Sequence, residues 1–209
     1  MAVMQATLLD MMDSPGPRPL GSSVEHSEIG HGAWVDLRPT WLAGADALFD
    51  RLLPAVAWKA ERRRMYDRVV DVPRLVAFYG EGDRLPDSLL EVAMAALNEH
   101  YATGPPGDAL ATAGLCLYRD GRDSVAWHGD TIGRGAVEDT LVAIVSLGAP
   151  RRLLLRPRSG GPAMRYELGH GDLFVMGGTC QRTFEHAVPK TVRTAGPRIS
   201  VQFRPPGVT

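Results

Sequence analysis

Apolar residues recur along this chain with two different periods. Leu42, Ala45, Leu48, Phe49, Leu52 and Leu53 fall at helical spacing, which predicts an amphipathic helix over 42–53. Thr40, after Pro39, is a candidate cap, and Pro54 closes or kinks the helix. A second helix is predicted over 86–100. Pro86 suits an early helical position, and Leu89, Leu90, Ala93, Leu97 and Tyr101 share one face. Gly104-Pro105-Pro106-Gly107 ends it. Past residue 110 the period shortens. Residues 115–118, 124–128, 140–147, 151–156, 163–168, 173–176 and 198–203 read as strands, as does 34–37 nearer the start. Between the helices, 61–80 is polar and arginine-rich before turning apolar at Pro73–Gly80. Many short strands cut by turns such as Gly148-Ala149-Pro150 predict a mainly β protein with flanking helices and a sandwich or jelly-roll core.

Length and charge refine this picture only slightly. The 209 residues suit one domain preceded by an extension. Residues 1–30, with Ser14-Pro15-Gly16-Pro17, Pro19 and Gly21-Ser22-Ser23, read as a loose N-terminal segment ahead of a single domain over 31–209. A net charge of -1 excludes a uniformly basic nucleic-acid binder but not a local basic face. Arg62, Arg63, Arg64 and Arg68 form one cluster, and Arg151, Arg152, Arg156 and Arg158 another. Cys116 and Cys180, with no C-x-x-C, do not make a disulfide framework. No apolar run approaches the ~20 residues that span a bilayer, and Asp10 and Asp13 make the start a poor signal peptide. A cytoplasmic monomer with no membrane partner is expected.

The sharpest chemical feature is His128-Gly129-Asp130. Residues i and i+2 of a strand share a face, so an imidazole and a carboxylate stand side by side. One distant histidine would complete the two-His, one-carboxylate facial set of non-haem Fe(II). By itself an H-x-D is common, and a surface histidine bonded to a neighbouring acid satisfies it equally. His186 is the candidate third ligand, where an apolar strand gives way to a turn. His26 and His31 fall in or beside the extension, His100 ends a helix, and His170 sits in a Gly-His-Gly-Asp turn. In Arg198–Arg204 the two arginines share one strand face, opposite Ile199, Val201 and Phe203. They either face water or aim two guanidinium forks inward, at a dicarboxylate or at Asp130.

Taken together, His128-Gly129-Asp130, His186 followed by Val188-Pro189-Lys190, and Arg198…Arg204 resemble the AlkB family of Fe(II)- and 2-oxoglutarate-dependent dioxygenases. Pro73-Arg74 with Tyr79-Gly80, Tyr118-Arg119-Asp120-Gly121 leading to Trp127-His128, and Gly171-Asp172-Leu173-Phe174-Val175-Met176 extend the resemblance over roughly 60–205. It implies a double-stranded β-helix (jelly-roll) core over 111–205, behind N-terminal helices and a nucleotide-recognition lid over 31–110. It implies a catalytic set of His128, Asp130, His186 and Arg204, the first three as iron ligands. Arg198 would pair with the distal carboxylate of 2-oxoglutarate and Tyr118 would donate to the same cosubstrate. Arg204 would sit near the proximal carboxylate and orient Asp130, and Ser200 and Cys116 would line the cosubstrate site. The implied reaction uses dioxygen to demethylate N-alkylated bases of DNA or RNA, single-stranded or flipped out of the stack, releasing formaldehyde, succinate and CO2. Arg74, Tyr79, Tyr66 and Trp127 are the candidate substrate contacts.

Two departures bear on this. Cys116 stands where the family usually has an asparagine that bonds 2-oxoglutarate, and a thiol is a weak donor. Thr131 and Ile132 follow the H-x-D where repair members carry an acid that reads the base, and the next acids are Glu138 and Asp139. An oxygenase acting on a protein or small molecule, and a catalytically weak nucleic-acid-binding relative, are the competing readings.

Overall fold

A computed structural model describes residues 14–65, 68–101, 109–192 and 195–208. The apolar periods of the sequence become three stacked layers in it. Helices α1 (Ala45–Ala55) and α2 (Ser88–Tyr101) form the outer layer. In chain order the strands are β1 (Gly16–Pro17), β2 (Glu25–Gly30), β3 (Ala33–Arg38), β4 (Leu42–Ala43), β5 (Lys59–Met65), β6 (Arg68–Tyr79) and β7 (Thr112–Tyr118). There follow β8 (Val125–His128), β9 (Val142–Gly148), β10 (Arg151–Pro157), β11 (Met164–Leu168), β12 (Asp172–Gly178), β13 (Phe184–Val188) and β14 (Arg198–Arg204). A one-turn helix, α3 (Cys180–Thr183), joins β12 to β13.

Both long helices and all eight predicted strands are present, several of them a residue or two longer. The arrangement of the sheets differs from the jelly-roll core expected above. One sheet runs β2-β3-β12-β9-β14-β7-β6-β5 and a second runs β11-β10-β13-β8, so both are extended. Neither closes on itself or curls as a double-stranded β-helix would, and each ends on open edges among the described residues. The reason lies in the N-terminal 80 residues. Strands β2 and β3 widen the large sheet on one side, and the β5–β6 hairpin widens it on the other. The segment expected as a lid is thus partly a continuation of the sheet. Residues 25–30 of the expected loose extension form β2, an edge strand that is exposed almost throughout and so shows no apolar alternation.

β14 shows why the layers stack. Ile199, Val201 and Phe203 are fully buried beneath the helices, with Leu48, Leu52, Leu90 and Leu97. Each such side chain contributes roughly 1.5–3 kcal/mol by leaving water. Arg198, Ser200, Gln202 and Arg204 point the other way, toward the small sheet. There a second core, with Ile144, Leu155, Phe174 and Phe184, fills the space between the sheets. β6 obeys the same alternation. Leu75, Ala77 and Tyr79 pack toward the helices, while Arg74 lines the space between the sheets.

At one end of the large sheet, Asp36 ties three elements together. Its carboxylate accepts from Tyr101 Oη of α2 at 2.7 Å and meets His26 Nδ1 of β2 at 2.5 Å. His26 Nε2 also lies 3.3 Å from Glu28, and Trp34 stacks on Tyr101 with ring centres 6.1 Å apart. The bond to Asp36, then that to Glu28, raises the His26 pKa above the usual imidazole value. A raised folded-state pKa gives stability that is fully present below the unfolded value and is lost as pH climbs through the raised one. We therefore expect the thermal midpoint to fall as pH is raised through and above neutrality. In His26→Gln that dependence should flatten, as followed by circular-dichroism melts. Because half the His26 side chain is exposed, the effect is small.

Candidate metal centre and adjoining cavity

β8 and β13 are neighbours in the small sheet, and their register sets His128 directly opposite His186. The two rings lie 4.2 Å apart, centre to centre. Asp130 follows β8 after one glycine and turns back toward the pair. The ligand atoms of His128, Asp130 and His186 all lie within 4.8 Å of one another.

The protonation states suit a divalent cation. His128 Nδ1 is 2.9 Å from the Ala126 carbonyl, which can only accept, so Nδ1 carries the hydrogen. Its Nε2 lone pair is left facing inward, 4.0 Å from Asp130 Oδ1. An outer hydrogen bond that fixes the tautomer of a ligating histidine is a recurrent feature of metal sites. Burial, then the neighbouring His128, pushes His186 down to about 3, and burial lowers His128 as well, so both rings are neutral ligands at physiological pH. Burial alone would raise Asp130. The Arg204 guanidinium and the two imidazoles outweigh it and hold the carboxyl at about 2. Arg204 Nε donates to Asp130 Oδ2 at 2.7 Å and leaves Oδ1 for an ion.

A cavity of about 60 Å³ opens from the triad, lined by Arg74, Cys116, Tyr118, Arg198, Ser200 and Gln202 among others. Arg198 forms its buried end. It is 1% exposed, its Nε donates to Ser146 Oγ at 2.9 Å, and its Nη1 has no hydrogen-bond partner among the described residues. A buried guanidinium nitrogen without a partner is costly unless something anionic meets it. Two guanidinium groups lie over the Tyr118 ring, Arg198 at 5.3 Å and Arg151 at 5.4 Å from its centre. Burial, more than the nearby Cys116, pushes its hydroxyl up to about 12, so it is a proton donor at any working pH. These residues fit a divalent ion and a dicarboxylate: three neutral or anionic donors at one end, an incompletely bonded guanidinium and a hydroxyl at the other.

The structure thus gathers His128, Asp130, His186, Arg204, Tyr118, Arg198, Ser200, Cys116 and Arg74 around one cavity. Other sequence candidates lie elsewhere. Tyr79 packs with the helix-side core. Trp127 is not among the cavity's lining residues, and its ring lies 4.1 Å from the Arg156 guanidinium. Tyr66 lies outside the described residues. The second arginine cluster is occupied internally. Arg151 clamps the carbonyls of Asp120, Asp123 and Pro189, Arg152 pairs with Glu167, and Arg156 and Arg158 share Glu185. Glu138 and Asp139 are paired too, with Arg134 and Arg182.

Two residues without a signal in the sequence, Gln202 and Gln181, support the site, and a third, Phe78, shares a sheet face with it. Gln202 lines the cavity with its amide pinned to Ser200, Nε2 to Oγ at 2.7 Å, and its Oε1 is 3.7 Å from Cys116 Sγ. An amide thus stands beside the thiol, although from the adjacent strand. Gln181, buried in α3, accepts the Asp130 backbone N–H at 3.0 Å. Phe78 is 58% exposed on the same face of β6 as Arg74. It pairs with Gly114, which pairs in turn with Gln202 across β14. A Cβ on Gly114 would come within 2.9 Å of Arg204 Nη1, so the missing side chain leaves room for the Arg204 guanidinium.

A two-histidine, one-carboxylate set with open positions, facing a buried arginine across a cavity between two sheets, is the kind of donor set that mononuclear non-haem iron oxygenases use to hold their metal. The chain belongs to the 2OG-Fe(II) oxygenase superfamily, which matches residues 49–204, and within it is AlkB-related. It is 32% identical to the alpha-ketoglutarate-dependent dioxygenase alkB homolog 3 of Bos taurus over 82% of this chain and 63% of that protein. It is 31% identical to the human homolog 3 over 77% of this chain and 61% of that protein, so it spans a little under two thirds of the length of these relatives. The DNA oxidative demethylase ALKBH2 of Arabidopsis thaliana is 31% identical over 47% of this chain and 38% of that protein. The structure of OsALKBH1 superposes with a TM-score of 0.58 at 16% identity, covering 85% of this chain and all of that one, which is a likeness of fold. No helix among the described residues is long and apolar enough to cross a membrane.

Proposed function

We propose that this protein is an Fe(II)- and 2-oxoglutarate-dependent dioxygenase that oxidatively demethylates N-alkylated bases in DNA or RNA. The observation that carries this reading is the triad facing the unpartnered Nη1 of buried Arg198 across one small cavity. His128, Asp130 and His186 would hold the iron. When bound, iron and 2-oxoglutarate supply the oxidising chemistry, turning a substrate C–H into C–OH at the expense of dioxygen as the cosubstrate becomes succinate and CO2.

The residues of the chain do the rest. Arg198 receives the distal carboxylate, and the Tyr118 hydroxyl, kept protonated by burial, donates to the same molecule. Ser200, Cys116 and Gln202 line the stretch of β14 and β7 between that end and the metal. Arg204 keeps Asp130 ionised and aimed by bonding the oxygen turned away from the metal position. A methyl group held over the triad would be hydroxylated to a hemiaminal, which loses formaldehyde and restores the base.

The relatives' names and the arginines of the β5–β6 hairpin support a nucleic-acid substrate. Exposed Phe78, on the same face of β6 as Arg74 of the cavity lining, offers a flat apolar face to an unstacked base. Phe78→Ala is expected to weaken binding of single-stranded oligonucleotides about tenfold. Tyr79→Phe, in the core layer, should leave binding unchanged, both measured by fluorescence anisotropy. The reading itself is tested with a panel of N-methylated DNA and RNA oligonucleotides, with iron, ascorbate and 2-oxoglutarate. The expected result is loss of methyl mass, with formaldehyde and succinate released in equal amounts. Absence of substrate-dependent turnover across both panels would overturn it.

A further inference from the structure

We propose that Gln181 is a positioning residue for the metal site, its carboxamide setting where Asp130 stands relative to His186. Asp130 lies past the end of β8, so no strand pairs with its backbone. The β8–β13 ladder itself is short and irregular, with partners at His186↔His128 and Val188↔Val125 and a register shift between them. Arg204 of the large sheet bonds the carboxylate itself, and the backbone that carries it must likewise be held from outside the small sheet.

Gln181 meets that need from α3, the single turn that leads directly into the strand carrying His186. Its side chain is 1% exposed, and its Oε1 accepts the Asp130 N–H at 3.0 Å. Its Nε2 points at Met176 Sδ, 3.9 Å away, so the acceptor oxygen is directed at Asp130 by its packing. The turn itself is anchored. The Thr179 carbonyl accepts from the backbone N–H groups of Arg182 and Thr183, and the Thr179 hydroxyl donates to the His31 carbonyl at 2.7 Å.

The backbone of the same turn reinforces the contact. A Cβ at Gly129 would lie 2.7 Å from the Gln181 carbonyl oxygen and 3.1 Å from that of Phe184. The Gly129 main chain is therefore seated flush against α3. One carboxamide and one close backbone approach join the segment bearing two ligands to the segment bearing the third. Outer groups of this kind set ligand orientation, and their loss commonly weakens metal binding 10- to 100-fold.

The test is a titration of the metal-free protein with Co(II), followed by calorimetry and by the visible absorption of the bound ion. Gln181→Met, similar in length but without the amide oxygen, is expected to bind Co(II) about 10- to 100-fold more weakly and with a changed spectrum. Gln181→Glu, which keeps an acceptor oxygen at the same reach and is held neutral by burial, should retain the wild-type spectrum and bind Co(II) more tightly than Gln181→Met. A purely structural role would lower the melting temperature and leave affinity and spectrum of the folded protein unchanged. That result in Gln181→Met, or an equal loss in Gln181→Glu, overturns the proposal. Should Gln181→Met not fold, Gln181→Asn, one methylene too short to reach Asp130, carries the same two expectations.

Discussion

Arg198→Met is expected to weaken 2-oxoglutarate binding by about 100-fold or more, while metal affinity stays at the wild-type level. Truncating one partner of a buried, hydrogen-bonded charge pair costs about 2–5 kcal/mol, and every 1.4 kcal/mol is about tenfold. The same variant should not be less stable without cosubstrate. Arg198 is a fully buried cation held by Ser146 and the Tyr118 hydroxyl, both neutral groups, with no carboxylate against it among the described residues. Burial lowers its pKa, which measures how poorly the site solvates a charge on its own. A methionine of similar length removes that charge and keeps the packing against Tyr118. Calorimetric titration of the metal-loaded protein with 2-oxoglutarate, beside thermal melts without it, checks both halves. Unchanged cosubstrate affinity would refute the assignment of Arg198 as the carboxylate partner.

Gly129→Val is expected to cost about 100-fold in metal affinity, as much as removing a ligand's outer support. The new side chain would meet two carbonyl oxygens of the main chain and Arg158 Nη2, at 2.7, 3.1 and 2.6 Å from its Cβ. The arginine can swing away, but the carbonyls belong to α3 and β13 and cannot move without carrying His186 with them. Overpacking of this kind destabilises a fold by about 1–3 kcal/mol, so the protein should still fold, with Asp130 displaced. Co(II) titration alongside a melting curve separates the two effects. Wild-type affinity in a folded Gly129→Val would show that the middle residue of the H-G-D segment is free to vary.

Much of the site was legible in the sequence because strand alternation is a strict rule. Arg198 and Arg204 share a face six residues apart, and Ile199, Val201 and Phe203 are apolar enough to show which face is buried in the core. The pair His128 and Asp130 was visible in the same way. Tyr79 and Phe78 mark where that logic lapsed. Residues 61–80 carry so many arginines that they do not read as a strand, so the pattern offers no parity to separate one aromatic from its neighbour. Once β6 exists, parity sends Tyr79 to the helices and leaves Phe78 exposed. Gln181 had no local signal, since its partner is 51 positions away and its importance arises from a tertiary contact. The sheet arrangement is not legible in the sequence because β2 is mostly polar and β5 is dense in charge, so neither reads as a strand.

The strand order of the large sheet has a consequence for how such a protein can change. β14, with both arginines of the cavity, is flanked by ladders on each side, so an alteration in its backbone disturbs two neighbours at once. β5 is an edge strand, and β6, which carries Arg74 and Phe78, has only that edge strand beyond it. The residues that would meet a substrate thus sit on scaffolding that can be lengthened, shortened or recharged cheaply, while those that would handle the oxidant are locked in the middle. A lineage built on this plan can retool what it acts upon without relearning its chemistry.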